Sequence, residues 1–77
     1  MSERVIADIE KHSTEKIRVQ VDTWNGNQYV DARIYYRKEA SDGEAWHPTK
    51  KGLRINYELL LELQAALDRA KSVIEGR

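Results

Sequence analysis

The chain has 77 residues, no cysteine, and 13 Lys and Arg residues that balance 13 Asp and Glu residues. This length allows one small domain, residues 1–77, whose core is too small to be stable without disulfides, a metal or a partner chain. The lack of cysteine excludes disulfides and thiolate metal sites, and no apolar run approaches the roughly 18 residues of a membrane span. We therefore expect an intracellular protein of the cytoplasm or nucleoid (the nucleus in a eukaryote) that makes no membrane contact and is stabilised by self-association.

The charges are unevenly distributed along the chain. Residues 33–56 hold six Lys and Arg against three Asp and Glu, whereas the segments on either side have an acidic excess. The neutral total argues against a general polyanion-binding protein, because nonspecific nucleic-acid binding depends on the neutralisation of phosphates. A local basic excess is nevertheless what a confined anion site requires.

The first predicted elements in chain order are two strands. Residues 5–9 alternate only weakly between polar and apolar side chains, which predicts an irregular or edge strand. Residues 16–21 alternate strictly, so they predict a half-buried strand with one apolar face. The residues of that face are Ile17, Val19 and Val21.

A hairpin follows the second of these strands. The pair Asn25-Gly26 is a strong hairpin signal, because both residues tolerate a positive φ. A further strand over about residues 28–37 then pairs antiparallel with residues 16–21. Its inward-facing residues are Val30, Ala32 and Ile34.

The segment after the hairpin is rich in turn residues. Residues 40–44 predict a polar turn that leads into a short strand at 44–47. Pro48 is expected to end this strand because it has no N–H group to donate. Residues 49–52 are expected to form a loop or bulge, and residues 53–55 a last short strand.

The end of the chain predicts one long helix over residues 57–74, with Asn56 as its N-cap. Two interpretations of its wide apolar surface remain open: a broad face for its own sheet, or one face for the sheet and one for a second chain. The small core favours the second interpretation. Leu61 lies off the main stripe, which consists of Leu60, Leu63, Leu67, Ala70 and Ile74.

The sequence contains no recognisable catalytic arrangement. It has two histidines, His12 and His47, and no nucleophile elbow, Gly-rich phosphate loop or HExxH motif. His47 is interpreted as a surface residue, because no second His or Cys follows at a metal-ligand spacing. We expect no enzyme activity, no metal and no cofactor.

The predicted outward face of the hairpin combines aromatic and basic residues. Trp24 shares this face with polar residues of its own strand, and Lys50-Lys51-Gly52 adds charges next to a glycine that permits close backbone approach. Stacking aromatics beside Arg and Lys are typical of single-stranded nucleic-acid binding. The alternative is an ordinary strand with cross-strand ion pairs. The remaining members of the pattern are Tyr29, Arg33, Tyr35 and Arg37.

Two segments together resemble the positive cofactor four family of transcriptional coactivators. Residues 24–36 read WNGNQYVDARIYY, and residues 47–55 read HPTKKGLRI before a Leu-rich helix. The resemblance covers about residues 16–70 and is most specific at Pro48-Thr49-Lys50-Lys51-Gly52. It implies an α+β fold: a curved antiparallel sheet of about four strands, one long C-terminal helix, and a homodimer with grooves for single-stranded DNA.

The resemblance also implies which residues contact DNA. The hairpin aromatic corresponds to Trp24, and the hairpin tip, Lys-rich in eukaryotic relatives, carries the neutral Asn25 and Asn27 here. Tyr36 has two interpretations: strand parity places it in the core, whereas the family match places it in the groove and requires a bulge after Arg33. The other expected contacts are Arg33, Lys50, Lys51, Gly52 and Arg54, and the expected packing residues of the helix are Leu60, Leu61, Leu63 and Leu67.

Together these observations predict a single-stranded DNA-binding protein with little sequence preference. Its role would be that of a transcriptional coactivator or regulator, or a role in replication and repair, in contact with transcription or repair machinery. One alternative is an RNA-binding or nucleoid-associated protein that uses the same face. The other is a protein-interaction module that docks through the helix surface around Leu61.

Overall fold

The computed structural model describes residues 2–39 and 45–76. Four antiparallel strands form one open, curved sheet in the order β1-β2-β3-β4, and a helix follows them. This architecture confirms the predicted α+β fold, while the turn predicted at residues 40–44 lies outside the described residues. The elements are β1 (Ser2–His12), β2 (Glu15–Trp24), β3 (Asn27–Tyr36), β4 (His47–Ile55) and α1 (Tyr57–Ile74).

The hairpin between β2 and β3 is the most regular part of the sheet. The two strands pair without interruption from Glu15 opposite Tyr36 to Trp24 opposite Asn27. Asn25 and Gly26 connect them with φ angles of 51° and 77°. Positive φ at both central residues defines a type I′ turn, whose twist matches that of the strands. The predicted hairpin is confirmed.

The two outer strands are irregular. The β1–β2 register shifts between Val5 and Ala7 and again between Glu10 and His12, which agrees with the predicted irregular edge strand. On the other side, β4 is one continuous strand, so the prediction of two short strands is wrong. Pro48 lies opposite Tyr35 within β4. A proline is tolerated there because β4 is an edge strand and no further strand needs its N–H group.

Residues 49–51 form a bulge inside β4. The register with β3 passes from Gly52 opposite Arg33 directly to Pro48 opposite Tyr35. Three residues of β4 therefore face the single β3 residue Ile34. The bulge predicted for residues 49–52 is present, but it interrupts a strand and does not connect two.

The sheet has one apolar face and one polar face. On the apolar face, Ile17 lies opposite Ile34 and Val19 opposite Ala32. Strand alternation puts the charged residues of β2 and β3, except Glu15, on the other side. The polar face consists of Asp8, Lys16, Arg18, Gln20, Asp22, Trp24, Tyr29, Asp31, Arg33, Tyr35 and Arg54.

Burial in the single chain is opposite to that of an ordinary small domain. None of the hydrophobic residues in the described part of the chain is buried, whereas Lys16, Gln20, Asp22 and Asp31 of the polar face are largely buried. Within the helix stripe Leu60 and Leu63 are half-buried and the other members are exposed. The prediction that the helix covers its own sheet is therefore wrong for the single chain, and the apolar face is left open.

The helix itself begins and ends as the sequence predicts. The side-chain oxygen of Asn56 accepts a hydrogen bond of 3.0 Å from the backbone N–H of Leu59, which confirms the N-cap. At the other end the backbone N–H of Gly76 donates to the carbonyl of Val73. Local hydrogen bonds, and not tertiary contacts, therefore define both ends of α1.

Replacement of Gly26 by Ala is expected to lower the free energy of unfolding by about 1–2 kcal/mol, because a side chain is strained at positive φ. Nothing lies within 4 Å of the Cβ that would be added, so backbone strain is the only cost. Urea denaturation at one fixed protein concentration measures the change. Asn25→Gly is the control, with unchanged or slightly higher stability. Equal losses in both variants would contradict the turn assignment.

Candidate nucleic-acid interface

The residues predicted to contact nucleic acid are spread over β2, β3 and β4 and do not form a single pocket. Trp24, Asn25 and Asn27 lie at the hairpin end of the sheet. Tyr36 is the last residue of β3 and lies at the opposite end of the strand, about 30 Å from Asn27 for a strand of ten residues. Lys50 and Lys51 lie in the β4 bulge.

Ion pairs on the polar face engage two of the predicted arginines. The guanidinium of Arg33 donates to the carboxylate of Asp31 at 3.0 and 3.3 Å. The guanidinium of Arg54 donates to Asp22 and lies 3.8 Å from Asp31. These carboxylates are almost fully buried, so they require cationic partners. Neither arginine is a free positive charge in the isolated chain.

Cations also cover several aromatic rings of the sheet. The guanidinium of Arg18 lies 4.6 Å from the ring centre of Tyr35, and that of Arg54 lies 5.0 Å from that of Tyr29. A ring covered in this way is not open to a base unless the cation moves. No cation of the described residues covers the ring of Trp24, and this residue is 51% exposed. Trp24 is thus the open stacking surface at the hairpin end.

Trp46 is an aromatic residue that the sequence interpretation did not select. Its ring centre lies 4.4 Å from the Lys16 ammonium and 4.4 Å from the Arg37 guanidinium. It precedes β4 and follows the residues that the structure does not describe. The available signal was its position beside His47, but an aromatic residue next to a turn has no parity from which a face can be assigned.

The structure supports the parity interpretation of Tyr36. β3 pairs regularly with β2 up to Tyr36 itself, so no bulge in β3 turns this side chain over. Tyr36 therefore belongs to the apolar face with Ile34. It does not enter a core, however: its side chain is 40% exposed, and its ring lies 5.5 Å from that of His47.

The β4 bulge presents two lysines to solvent. Lys50 and Lys51 are exposed, and their ammonium groups form no ion pair with any described residue. Gly52 follows them where β4 comes very close to β3. A Cβ at Gly52 would lie 2.6 Å from the carbonyl oxygen of Ala32. The close approach that the sequence predicts for this glycine is therefore made by the protein's own neighbouring strand.

At the β1 side of the polar face, one carboxylate serves two cations. Asp8 accepts hydrogen bonds from Arg18 at 2.9 Å and from Lys16 at 3.0 Å. The bond from Arg18, reinforced by Lys16, lowers the pKa of the Asp8 carboxyl below its ordinary value of 3.8. The same bond raises the pKa of Arg18. The sequence does not show which strand pairs with β1, so this cluster could not be predicted from it.

Two further observations concern the described residues only. No group of three His, Asp or Glu side chains in residues 2–39 and 45–76 is placed to hold a metal ion. In the same part of the chain, no helix has both the length and the apolar character needed to cross a membrane.

Four sequential antiparallel strands, a C-terminal helix and a basic bulge on the edge strand define a small sheet-and-helix protein with a charged sheet face. A family model described as Transcriptional Coactivator p15 (PC4) matches residues 11–66. The chain therefore belongs to the PC4 family, as the sequence resemblance implied. A search of curated proteins found no significant match.

Solved structures of PC4 homologues have the same fold. The PC4 homologue BPSL1147 of Burkholderia pseudomallei, in its tetragonal crystal form, is 34% identical, with a TM-score of 0.78 over 91% of this chain and 98% of its own. Its orthorhombic form gives 0.77 at 34% identity over 91% and 90%. A bacteriophage T5 homologue is 21% identical, with a TM-score of 0.61 over 97% and 88%, and supports the fold alone.

The Asp8 cluster predicts a pH-dependent contribution to stability. At pH 7, Asp8→Asn is expected to lower the free energy of unfolding by up to about 1 kcal/mol. The folded-state pKa is depressed, so this contribution is present above pH 3.8 and is lost as pH falls through the folded-state value. The measurement is urea denaturation from pH 7 to pH 3.

The matched control is Glu10→Gln on the same strand, since Glu10 forms no ion pair with a described residue. Its effect should be small at every pH. A difference between Asp8→Asn and the wild type that stays constant down to pH 3 would contradict the proposed electrostatic cause.

Proposed function

We propose that this protein is a homodimer that binds single-stranded DNA with little sequence preference. The observation that carries the proposal is which cationic side chains of β3 and β4 form ion pairs and which do not. Arg33 and Arg54 are paired with carboxylates, whereas Lys50 and Lys51 have no partner in the described part of the chain. Membership of the PC4 family agrees with this function.

Base stacking is the proposed source of the preference for single strands. An exposed ring such as Trp24 can stack on a base for about 1–3 kcal/mol, and a base in a duplex does not offer its face. Asn25 and Asn27 beside it supply neutral hydrogen bonds at the hairpin tip. Tyr36 lies at the other end of β3 on the apolar face, so we do not include it in this stacking surface.

Lys50 and Lys51 are proposed to neutralise phosphates from the bulge. Arg54 is proposed to assist them, because its side chain is 40% exposed and a guanidinium has more donors than its bonds to Asp22 and Asp31 use. Gly52 keeps β4 close to β3 beneath them. Because the chain has no net charge, we propose that its affinity for DNA comes from a few unpaired lysines together with base stacking.

The open apolar face is the basis for proposing the dimer. None of the hydrophobic residues described is fully buried, which is incompatible with a stable monomer of this size. A second copy offers the same open sheet face and the same helix stripe, so the two are self-complementary. Within the stripe Leu60 and Leu63 lie toward the sheet and Leu67 is exposed, and we propose Leu61 as an additional packing residue.

For the cellular process that uses this binding, we propose a broad class and not a single pathway. The family model bears the name of a transcriptional coactivator. The bacteriophage T5 homologue is implicated in recombination-dependent DNA replication. Both settings expose single strands, so we propose transcriptional regulation or replication and repair as the role of this protein.

Two variants separate stacking from charge in titrations of fluorescent oligo-dT at several salt concentrations. Trp24→Ala should weaken binding about 5- to 150-fold without a change in the salt slope, because it removes stacking alone. The double variant Lys50→Gln/Lys51→Gln should make the log–log salt slope shallower by about 1.4, since each single-strand phosphate contributes about 0.7. Arg69→Gln/Lys71→Gln on the helix, which also removes two positive charges, is the charge-matched control.

The absence of saturable oligo-dT binding by the wild type at low salt would contradict the proposal. A comparison with oligo-U distinguishes DNA from RNA. Tighter binding of oligo-U than of oligo-dT would favour the RNA-binding alternative and would overturn the DNA assignment.

The dimer is tested by molecular mass in solution. Leu67→Asp should abolish the dimer, leaving a monomer or an unfolded chain, because it puts a charge into the exposed apolar stripe. Arg69→Asp, on the side of the helix away from both the stripe and Leu61, should remain dimeric. Sedimentation equilibrium measures both, and a dimeric Leu67→Asp or a monomeric, folded wild type would contradict the proposed interface.

A further inference from the structure

Arg33 forms hydrogen bonds to its own strand, β3, and to the neighbouring edge strand, β4. Its Nε and Nη2 donate to the carboxylate of Asp31 on its own strand, at 3.0 and 3.3 Å. Its Nη1 donates to the backbone carbonyl of Thr49 on β4, at 3.0 Å. The side chain is only 23% exposed. The guanidinium is therefore fixed in orientation by one carboxylate and one backbone carbonyl.

Arg33 binds the backbone carbonyl of Thr49, which is the first residue of the β4 bulge. The hydroxyl of Thr49 donates to the carbonyl of Ile34 at 2.8 Å and accepts a hydrogen bond from the backbone N–H of Lys51 at 3.1 Å. Ile34 is the β3 residue that the bulge leaves without a partner in the register. The Thr49 hydroxyl thus replaces the strand pairing that the bulge removes.

Gly52 closes the bulge directly under Arg33. It lies opposite Arg33 in the register, and a Cβ there would be 2.7 Å from the Arg33 Cα and 2.9 Å from the Arg33 Cβ. Such distances leave no room for a side chain. The bulge is therefore fixed at its start by Arg33 and Thr49 and at its end by Gly52.

We propose that Arg33 is a positioning residue: it holds the β4 bulge against β3 so that Lys50 and Lys51 are presented together to a phosphate backbone. This inference rests on the proposed function and assigns Arg33 a role different from the direct DNA contact that the family resemblance implies. A planar guanidinium can bond Asp31 and the Thr49 carbonyl at once, whereas an ammonium is a point charge without that fork. Charge alone is therefore insufficient at this position.

Arg33→Lys separates the two roles because it keeps the charge and removes the fork. A positioning role predicts that this variant loses as much oligo-dT affinity as Lys50→Gln/Lys51→Gln does. It also predicts that adding Arg33→Lys to that double variant costs little more, since residues that act as one unit are not additive. A direct phosphate contact predicts near wild-type affinity for Arg33→Lys, and that result would overturn the inference.

A second measurement needs no DNA. Hydrogen exchange followed by NMR should show the Lys51 amide of Arg33→Lys exchanging at least about tenfold faster than in the wild type, while the amides of β2 are unchanged. Thr49→Val removes the hydroxyl without any change of charge and should have the same effect. Unchanged exchange at Lys51 in Arg33→Lys would overturn the inference.

The two measurements distinguish the failures. If the wild type does not bind oligo-dT, the proposed function fails, and hydrogen exchange still decides whether Arg33 holds the bulge. If the wild type binds and Arg33→Lys binds equally well, the positioning role fails and the proposed function stands.

Discussion

Two buried carboxylates organise the charged side of this protein. Asp22 and Asp31 are almost fully buried between β2 and β3, and an unpaired carboxylate there would be strongly destabilising. Arg33 and Arg54 neutralise them from β3 and β4. Arg33 and Arg54 are consequently held in ion pairs within the fold, whereas Lys50 and Lys51 in the bulge form no ion pair with a described residue.

The apolar face of the sheet lacks the partners that the polar face has. Its Ile, Val and Ala side chains line up across the strands, yet the helix of the same chain leaves them largely uncovered. One chain therefore carries a well-paired polar face and an unfinished apolar one. A partner copy on the apolar face would complete the core and leave the polar face and the bulge facing outward, which links the proposed dimer to the proposed DNA interface.

Most of the fold followed from local patterns in the sequence. The Asn25-Gly26 turn and the Asn56 cap act within a few residues, so the hairpin and the helix were predictable. The continuity of β4 was not, because Pro48 is tolerated only on an edge strand and the sequence does not show which strands are edges. The exposure of the helix stripe depends on tertiary packing, which local periodicity does not report.

The candidate site was predictable in composition but not in connectivity. Sequence patterns selected Trp24, Lys50 and Lys51 because aromatic and basic residues are recognisable by type. They did not show that Arg33 binds the Thr49 carbonyl, since this bond depends on the register across the bulge. The face of Tyr36 was equally undecided until the regular pairing of β3 with β2 was known.

We propose that few free charges and an open aromatic ring select single strands over duplex DNA. The most direct measurement compares the affinities of the wild type for oligo-dT and for a duplex of equal length at two salt concentrations. We expect saturable oligo-dT binding that is tighter than duplex binding and weakens as salt rises. Equal affinity for both DNAs, or no dependence on salt, would contradict it.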